Sequence, residues 1–237
     1  MKESKAFWRR KRSRGQSIVE FALMAPILLI LLTGLFEFGF LFTQYLAVLD
    51  AARNAARFSS DTAFDTRDND PNCSSTKDFY RQTACEAVIE LANEEPTIQL
   101  CLPLMSGPPP RNCNPADPNT TDDVIISVFS LLRDPPGGIK RFPPEAPVHG
   151  WSYDADLLGM GQGGARSGTH DTNFTTSMVL AMEQPGTPNT GYVLVEINYH
   201  YWQILAMPWF TAVINDPILL HLYAMWPCVS AEPTSTH

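Results

Sequence analysis

Glu20 has the clearest chemical requirement in the sequence, because it is a carboxylate at the start of an apolar run. Residues 21–36 contain no charged side chain. A carboxylate inside hydrocarbon costs roughly 2.5–3.5 kcal/mol on insertion scales, so it usually has a partner. Glu20 also lies only six residues after Arg14. It therefore either sits among the lipid headgroups or pairs with a positive charge.

The cysteines are the second group that could do chemistry. They are Cys73, Cys85, Cys101, Cys113 and Cys228. Two successive pairs, 73/85 and 101/113, have the same separation, and an oxidising compartment would favour disulfides. Because five is odd, at least one thiol is free or bonded to another chain. The sequence leaves the pairing open.

Other motifs lack the context that their chemistry needs. The GxGxxG match at 159–164 has no strand pattern before it and no helix pattern after it. The segment DNDPN (68–72) begins like a calcium loop, but Cys73 and Phe79 replace its glycine and glutamate. There is no CxxC, the histidines are scattered, and no serine lies in a nucleophile elbow. We therefore expect no enzyme, no metal site and no cofactor.

Charge is distributed unevenly along the 237 residues. The net charge is −8, yet residues 1–15 hold seven of the 17 Lys and Arg with one acid, leaving −14 on the rest. A basic cluster before an apolar run predicts a cytoplasmic N-terminus and an extracytoplasmic remainder. The acidic body argues against a nucleic-acid partner.

The apolar run predicts a helix that crosses a membrane and continues beyond it. Residues 21–42 would span roughly 33 Å, close to a bilayer core of about 30 Å. A cleaved signal peptide is the alternative, but its apolar region is usually about 7–15 residues long. Helix-forming residues continue to Ser59 and Ser60, so the sequence predicts one continuous helix over residues 17–58. Small and polar residues share one stripe of this helix: Ala22, Pro26, Thr33, Glu37, Gln44, Ala51 and Ala55. Such a stripe favours contact with another helix, or, in its outer portion, with the protein's own head.

Residues 61–237 predict an extracytoplasmic α+β domain with long Pro/Gly-rich loops. A second helix, with Ser75 as its N-cap, would present one apolar face of Phe79, Thr83, Ala87, Val88 and Leu91. Strands are predicted at 97–102, 123–132 and 191–202, with a short one at 177–182. A helix packed on an antiparallel sheet is the simplest arrangement of these elements.

The C-terminal part of the chain has a second apolar stretch, residues 202–227. Pro208, Asp216 and Pro217 interrupt it, which argues against a second membrane span. Asp216 and Pro217 predict the start of a short helix that ends at Trp226. We expect this stretch to pack in the core, with a membrane-surface or partner-facing patch as the alternative.

A stretch of about 45 residues that begins at Gly15 resembles a known family. Gly15 is followed by Gln-Ser-Ile-Val-Glu, as in a type IV prepilin processing site. The Val-Glu-Phe-Ala-Leu element at 19–23, Pro26, the Glu-Phe-Gly at 37–39 and the Ala-Ala-Arg at 51–53 are similar to TadE-like proteins. These are pseudopilins of tight-adherence (Flp-type) pilus systems.

The resemblance implies a division of the chain and a set of partners. Residues 1–15 would be a basic prepilin leader that a prepilin peptidase removes after Gly15, and residues 16–60 a transmembrane and extended helix. The carboxylate of Glu20 would then pair with the Gln16 ammonium of a neighbouring subunit. Helix–helix assembly would involve a defined set of residues: Glu20, Pro26, Thr33, Glu37 and Gln44. The partners would be membrane lipid, other pilins or pseudopilins, and platform proteins of the inner membrane, which the chain would cross once.

The sequence therefore predicts a structural assembly protein, a pseudopilin that helps to build a tight-adherence pilus. The leading alternative is a membrane-tethered module whose outer loops bind a ligand. A tethered hydrolase is a third reading, with no catalytic constellation to support it.

Overall fold

A long N-terminal helix and a five-stranded antiparallel sheet form most of the described chain. The computed structural model describes residues 16–62, 79–94, 98–103, 113–114, 117, 119–132, 138–143, 150–158, 172–182 and 191–228. The helices are α1 (Gln16–Asp61), α2 (Phe79–Glu94), α3 (Tyr153–Leu157), α4 (Thr176–Met182) and α5 (Pro208–Thr211). The strands are β1 (Asp123–Leu132), β2 (Gly138–Phe142), β3 (Trp151–Ser152), β4 (Gly191–Tyr201) and β5 (Ile218–Pro227).

Helix α1 is continuous over 46 residues, with Pro26 inside it. At about 1.5 Å per residue this gives a rod of roughly 69 Å. Its first part is rich in leucine and its last part in alanine, both strong helix formers. The predicted long N-terminal helix is confirmed.

The sheet has the order β2-β1-β4-β5, and β3 also pairs with β1. All pairings are antiparallel, and the two central strands are the ones that β-branched and apolar residues predicted. Val124 lies opposite Ile197 and Val128 lies opposite Val193. Strand β5 then pairs with the whole of β4, from Tyr192 opposite Pro227 to Tyr201 opposite Ile218.

One hydrophobic core joins this sheet to both long helices. It contains the apolar side chains of β1 and β4 on one sheet face, together with alanines of α1 and the predicted apolar face of α2. On the opposite face, Phe129 and Leu194 pack with Phe174 and with Val179 of α4. The α+β class, with a second helix packed on an antiparallel sheet, is confirmed.

Two segments predicted as strands have another structure. Residues 98–102 are irregular, and the Cys101 N–H donates to the buried carboxylate of Asp122 at 2.7 Å instead of to a neighbouring strand. Residues 177–182 lie in helix α4. The Thr175 hydroxyl accepts a hydrogen bond from the N–H of Met178, as an N-cap residue does, and the residues that follow are good helix formers.

The helix predicted from Pro217 to Trp226 was also wrong, because this segment is strand β5. Its backbone pairs with β4 over ten successive positions. That many inter-strand contacts outweigh the local Asp-Pro signal for a helix start. The predicted N-cap Ser75, the DNDPN segment and the GxGxxG segment lie outside the described residues.

Candidate functional site

Helix α1 is divided into two parts by what covers it. Residues 17–32, the bare segment, are exposed apart from the half-buried Ala25. By length and composition, α1 is long and apolar enough to cross a membrane. These features are consistent with a single-pass membrane protein.

Further along α1, residues 47–56 form the covered segment. Its alanines are buried against α2 and the sheet: Ala47, Ala51, Ala52, Ala55 and Ala56. Alanine allows close approach between a helix and its neighbours, since its side chain ends at Cβ. The covered segment therefore belongs to the core of the head.

Glu37 lies between these two segments, and hydrogen-bond donors of the head surround its carboxylate. Only 3% of its surface is exposed. Its Oε1 accepts hydrogen bonds from the Tyr201 hydroxyl and the Ile204 N–H, both at 2.7 Å, and its Oε2 accepts one from the Leu205 N–H at 2.8 Å. Three donors compensate for the loss of water around this carboxylate. The site joins the helix to a segment more than 160 residues away in the chain.

The segment that supplies these N–H groups follows β4 directly. Residues 202–215, the hydrophobic loop, contain no charged side chain. Its ends are held together because the Gln203 N–H donates to the Asp216 carboxylate at 3.1 Å, and the Gln203 amide donates to the Ile214 carbonyl at 3.3 Å. Pro208 starts α5, where its fixed φ suits a first helical residue. The loop is thus closed on itself and anchored to α1.

The other residues predicted for helix–helix assembly also divide into those that contact the head and those that are exposed. Gln44 accepts a hydrogen bond from the Tyr199 hydroxyl at 2.9 Å. Thr33 is half-buried, and its hydroxyl donates to the carbonyls of Leu29 and Ile30 within α1. Pro26 is exposed. The outer portion of the stripe thus faces the protein's own head, which is the alternative that the sequence left open.

The predicted processing residues lie at the other end of α1. Gln16 is the first residue of the helix, Glu20 is exposed one turn later, and Gly15 lies outside the described residues. Their roles in cleavage and pairing stay predictions. About 17 residues, or roughly 25 Å of helix, separate Glu20 from Glu37.

The structure shows the bonding state of four of the five cysteines. Cys101 and Cys113 form a disulfide with a Cα–Cα distance of 5.5 Å. Cys85 is also disulfide-bonded, and Cys73 lies outside the described residues. Cys228 is a free, buried thiol, and burial raises its pKa to about 11. Within the described ranges, no three His, Cys, Asp or Glu side chains are grouped to hold a metal ion.

Sequence reasoning missed the partners of Glu37, which are Tyr201 and the backbone of residues 204–205. Two signals pointed toward them. Glu37 is a charge in an apolar helix, so it required a donor, and the uncharged loop after β4 required something to bury it. Neither signal specifies which N–H groups meet the carboxylate, because that depends on the packing of β4 against α1.

Comparison with curated proteins and with solved structures found no match. A family model described as TadE-like protein matches residues 15–57. The matched range contains the bare segment, Glu37 and the covered segment. The resemblance to TadE-like proteins that the sequence predicted is therefore confirmed over the helix that carries Glu20 and Glu37.

Proposed function

We propose that this chain is a minor-pilin-like pseudopilin of a tight-adherence pilus system, which assembles with other subunits through α1. The match of residues 15–57 to TadE-like proteins carries this proposal. The proposed role is structural and includes no catalysed reaction. The long apolar helix joined to an α+β head agrees with such a role.

The bare segment is the part of α1 that the proposal uses for docking. Its side chains are exposed, whereas Glu37, Gln44 and the alanines of the covered segment have partners within the same chain. A neighbouring helix can therefore reach residues 17–32 without displacing the head. Glu20 and Pro26 lie in this accessible part.

Cleavage after Gly15 would offer Glu20 a positive charge on a neighbouring subunit. The prepilin peptidase releases the basic leader, and the new ammonium group is on Gln16. In a low-dielectric medium the Glu20 carboxylate of one subunit and this ammonium of another attract strongly, and either charge alone is costly. Pairing would fix the register between subunits.

The same proposal gives the orientation of the chain. The seven basic residues before position 16 keep the N-terminus in the cytoplasm, and the head lies on the extracytoplasmic side of the inner membrane. The Cys101–Cys113 disulfide supports an oxidising location for the head. Partners would be other pilins and the platform proteins of the inner membrane.

The test combines intact mass with co-purification. Protein extracted from native membranes is expected to begin at Gln16. Glu20→Gln is expected to be cleaved normally but to lose its co-purification with pilins and platform proteins, whereas Glu20→Asp, which keeps the charge, retains part of it.

An assembled chain that still carries residues 1–15 would overturn the cleavage step. Unchanged co-purification of a cleaved Glu20→Gln protein would overturn the pairing step. A strain lacking the protein should also show fewer or altered pili. Normal pili, together with a ligand captured by the head, would favour the membrane-tethered binding module.

A further inference from the structure

The hydrophobic loop presents more apolar surface than a solvated loop of its length requires. Its largest exposed side chains are Ile204, Trp209, Val213 and Ile214, and Val213 is 84% exposed. No charged side chain interrupts the sequence from Trp202 to Asn215. Exposed apolar patches of this kind mark a contact with protein or lipid.

The loop lies beside the part of α1 that a membrane would cover. Along β4 the contacts move down the helix: Tyr199 meets Gln44, and Tyr201 meets Glu37. Beyond them, Met207 and Phe210 of the loop line a narrow gap with Thr33. The loop therefore reaches at least one helical turn past Glu37, toward the bare segment.

Helix length places this contact at the depth of lipid. From residue 17 to residue 33 the helix rises roughly 24 Å, which is less than the hydrocarbon core of about 30 Å. A membrane that begins at the start of α1 must therefore extend past Thr33 to about residue 37. Beginning the span at Phe21 would place the boundary still further toward the head.

The backbone of the loop also suits a lipid environment. Hydrocarbon cannot accept hydrogen bonds, so N–H groups there need internal partners. The N–H groups of residues 210–214 all donate to carbonyls within the loop, at 2.8–3.2 Å. Those of Ile204 and Leu205 donate to Glu37, and Pro208 has none.

We propose that the hydrophobic loop is a second membrane contact, which inserts Trp209, Val213 and Ile214 into the leaflet on the head's side, next to α1. The occupant is lipid because the loop lies beside the end of the bare segment and the N–H groups of residues 204, 205 and 210–214 have partners within the chain. Insertion would hold the head at a fixed height and keep the Glu37 carboxylate away from hydrocarbon. This inference rests on the proposed membrane insertion of α1.

The experiment uses the full chain in phosphatidylcholine–phosphatidylglycerol vesicles. An environment-sensitive fluorophore is attached at Val213→Cys in the loop, at Leu28→Cys in the bare segment, or at Met182→Cys on α4. Met182 is the control, because it is also exposed but lies at the other end of the sheet. Its helix α4 contacts β2, which pairs with the end of β1 near Gly191, whereas the hydrophobic loop follows Tyr201 at the opposite end of β4. The unsubstituted chain, treated with the same fluorophore, shows how much label attaches to the native Cys228 thiol.

Lipids brominated in the acyl chain are expected to quench the labels at Leu28 and Val213, and iodide in the buffer to quench only the label at Met182. Quenching at Leu28 alone, with iodide reaching Val213, overturns the loop contact and leaves the span intact. Quenching at neither position overturns the span and the loop contact together. A Val213 label shielded from both quenchers means that protein covers the loop, which also overturns the proposal.

Discussion

Glu20 and Glu37 are carboxylates on the same helix with opposite environments. Glu20 is exposed near the start of the bare segment, whereas Glu37 is buried and accepts three hydrogen bonds from the head. The buried site completes the fold of one chain. The exposed position is where the proposed function places a contact between chains. A single helix can thus carry one acidic group for folding and another for assembly.

The largest expected effect comes from removing the buried carboxylate. Glu37→Ala leaves the buried Tyr201 hydroxyl and the partly buried N–H groups of Ile204 and Leu205 without their acceptor. We therefore expect a loss of about 3–5 kcal/mol in the free energy of unfolding. Urea unfolding in detergent, followed by tryptophan fluorescence, measures it. Glu20→Ala is the matched control and should unfold like the wild type. If both variants unfold alike, the distinction between the two carboxylates is wrong.

A smaller effect is expected when only one donor is removed. Tyr201→Phe deletes the hydroxyl that donates to the Glu37 carboxylate, whereas Tyr199→Phe deletes one that donates to the neutral Gln44 amide. Hydrogen bonds to charged groups contribute about 1.5–3 kcal/mol and neutral ones about 0.5–1.5 kcal/mol. The same unfolding measurement should therefore rank Tyr201→Phe as the more destabilising. The reverse ranking would contradict the Tyr201–Glu37 hydrogen bond as the stronger of the two contacts between β4 and α1.

The two segments of α1 can be compared by replacing one alanine in each segment with leucine. Ala55 has no exposed surface, and a leucine there would overpack the contact with α2 and the sheet at a cost of about 1–3 kcal/mol. Ala22 is exposed in the bare segment, so Ala22→Leu should leave head unfolding unchanged. Co-purification with other subunits is the second measurement, in which only Ala22→Leu is expected to weaken contacts between subunits. Equal unfolding of both variants would contradict the covered core.

Local patterns predicted the elements whose residues determine their own structure. Helix α1 begins with a long apolar stretch, β1 is rich in apolar and β-branched residues, and β4 alternates, and each folds as its pattern indicates. Strand β5 does not, because its structure depends on pairing with β4 more than on its own Asp-Pro start. The Glu37 site could not be predicted for a related reason. Its donors are backbone N–H groups, which every residue except proline carries, so sequence alone gives them no signature.

Asp123 gives a prediction of a different kind, a change in the pH dependence of the free energy of unfolding. It is buried at the start of β1, where burial raises its pKa to about 8 although the Ser152 hydroxyl and the Asp154 N–H donate to it. Between roughly pH 4 and pH 8 the folded state therefore keeps a proton that the unfolded chain has lost. Stability from this group is fully present below about pH 4 and declines as the pH rises to about 8.

Replacing this group should remove its contribution to the pH dependence. Asp123→Asn is close in shape to the protonated acid but does not titrate, so its free energy of unfolding should fall less than that of the wild type between pH 5 and pH 8. Urea unfolding across this range gives both profiles, and their difference isolates Asp123 from the other carboxyl groups. Parallel profiles would mean that Asp123 is ionised in the folded head. Its hydrogen bonds would then compensate for burial, as the three donors do for Glu37.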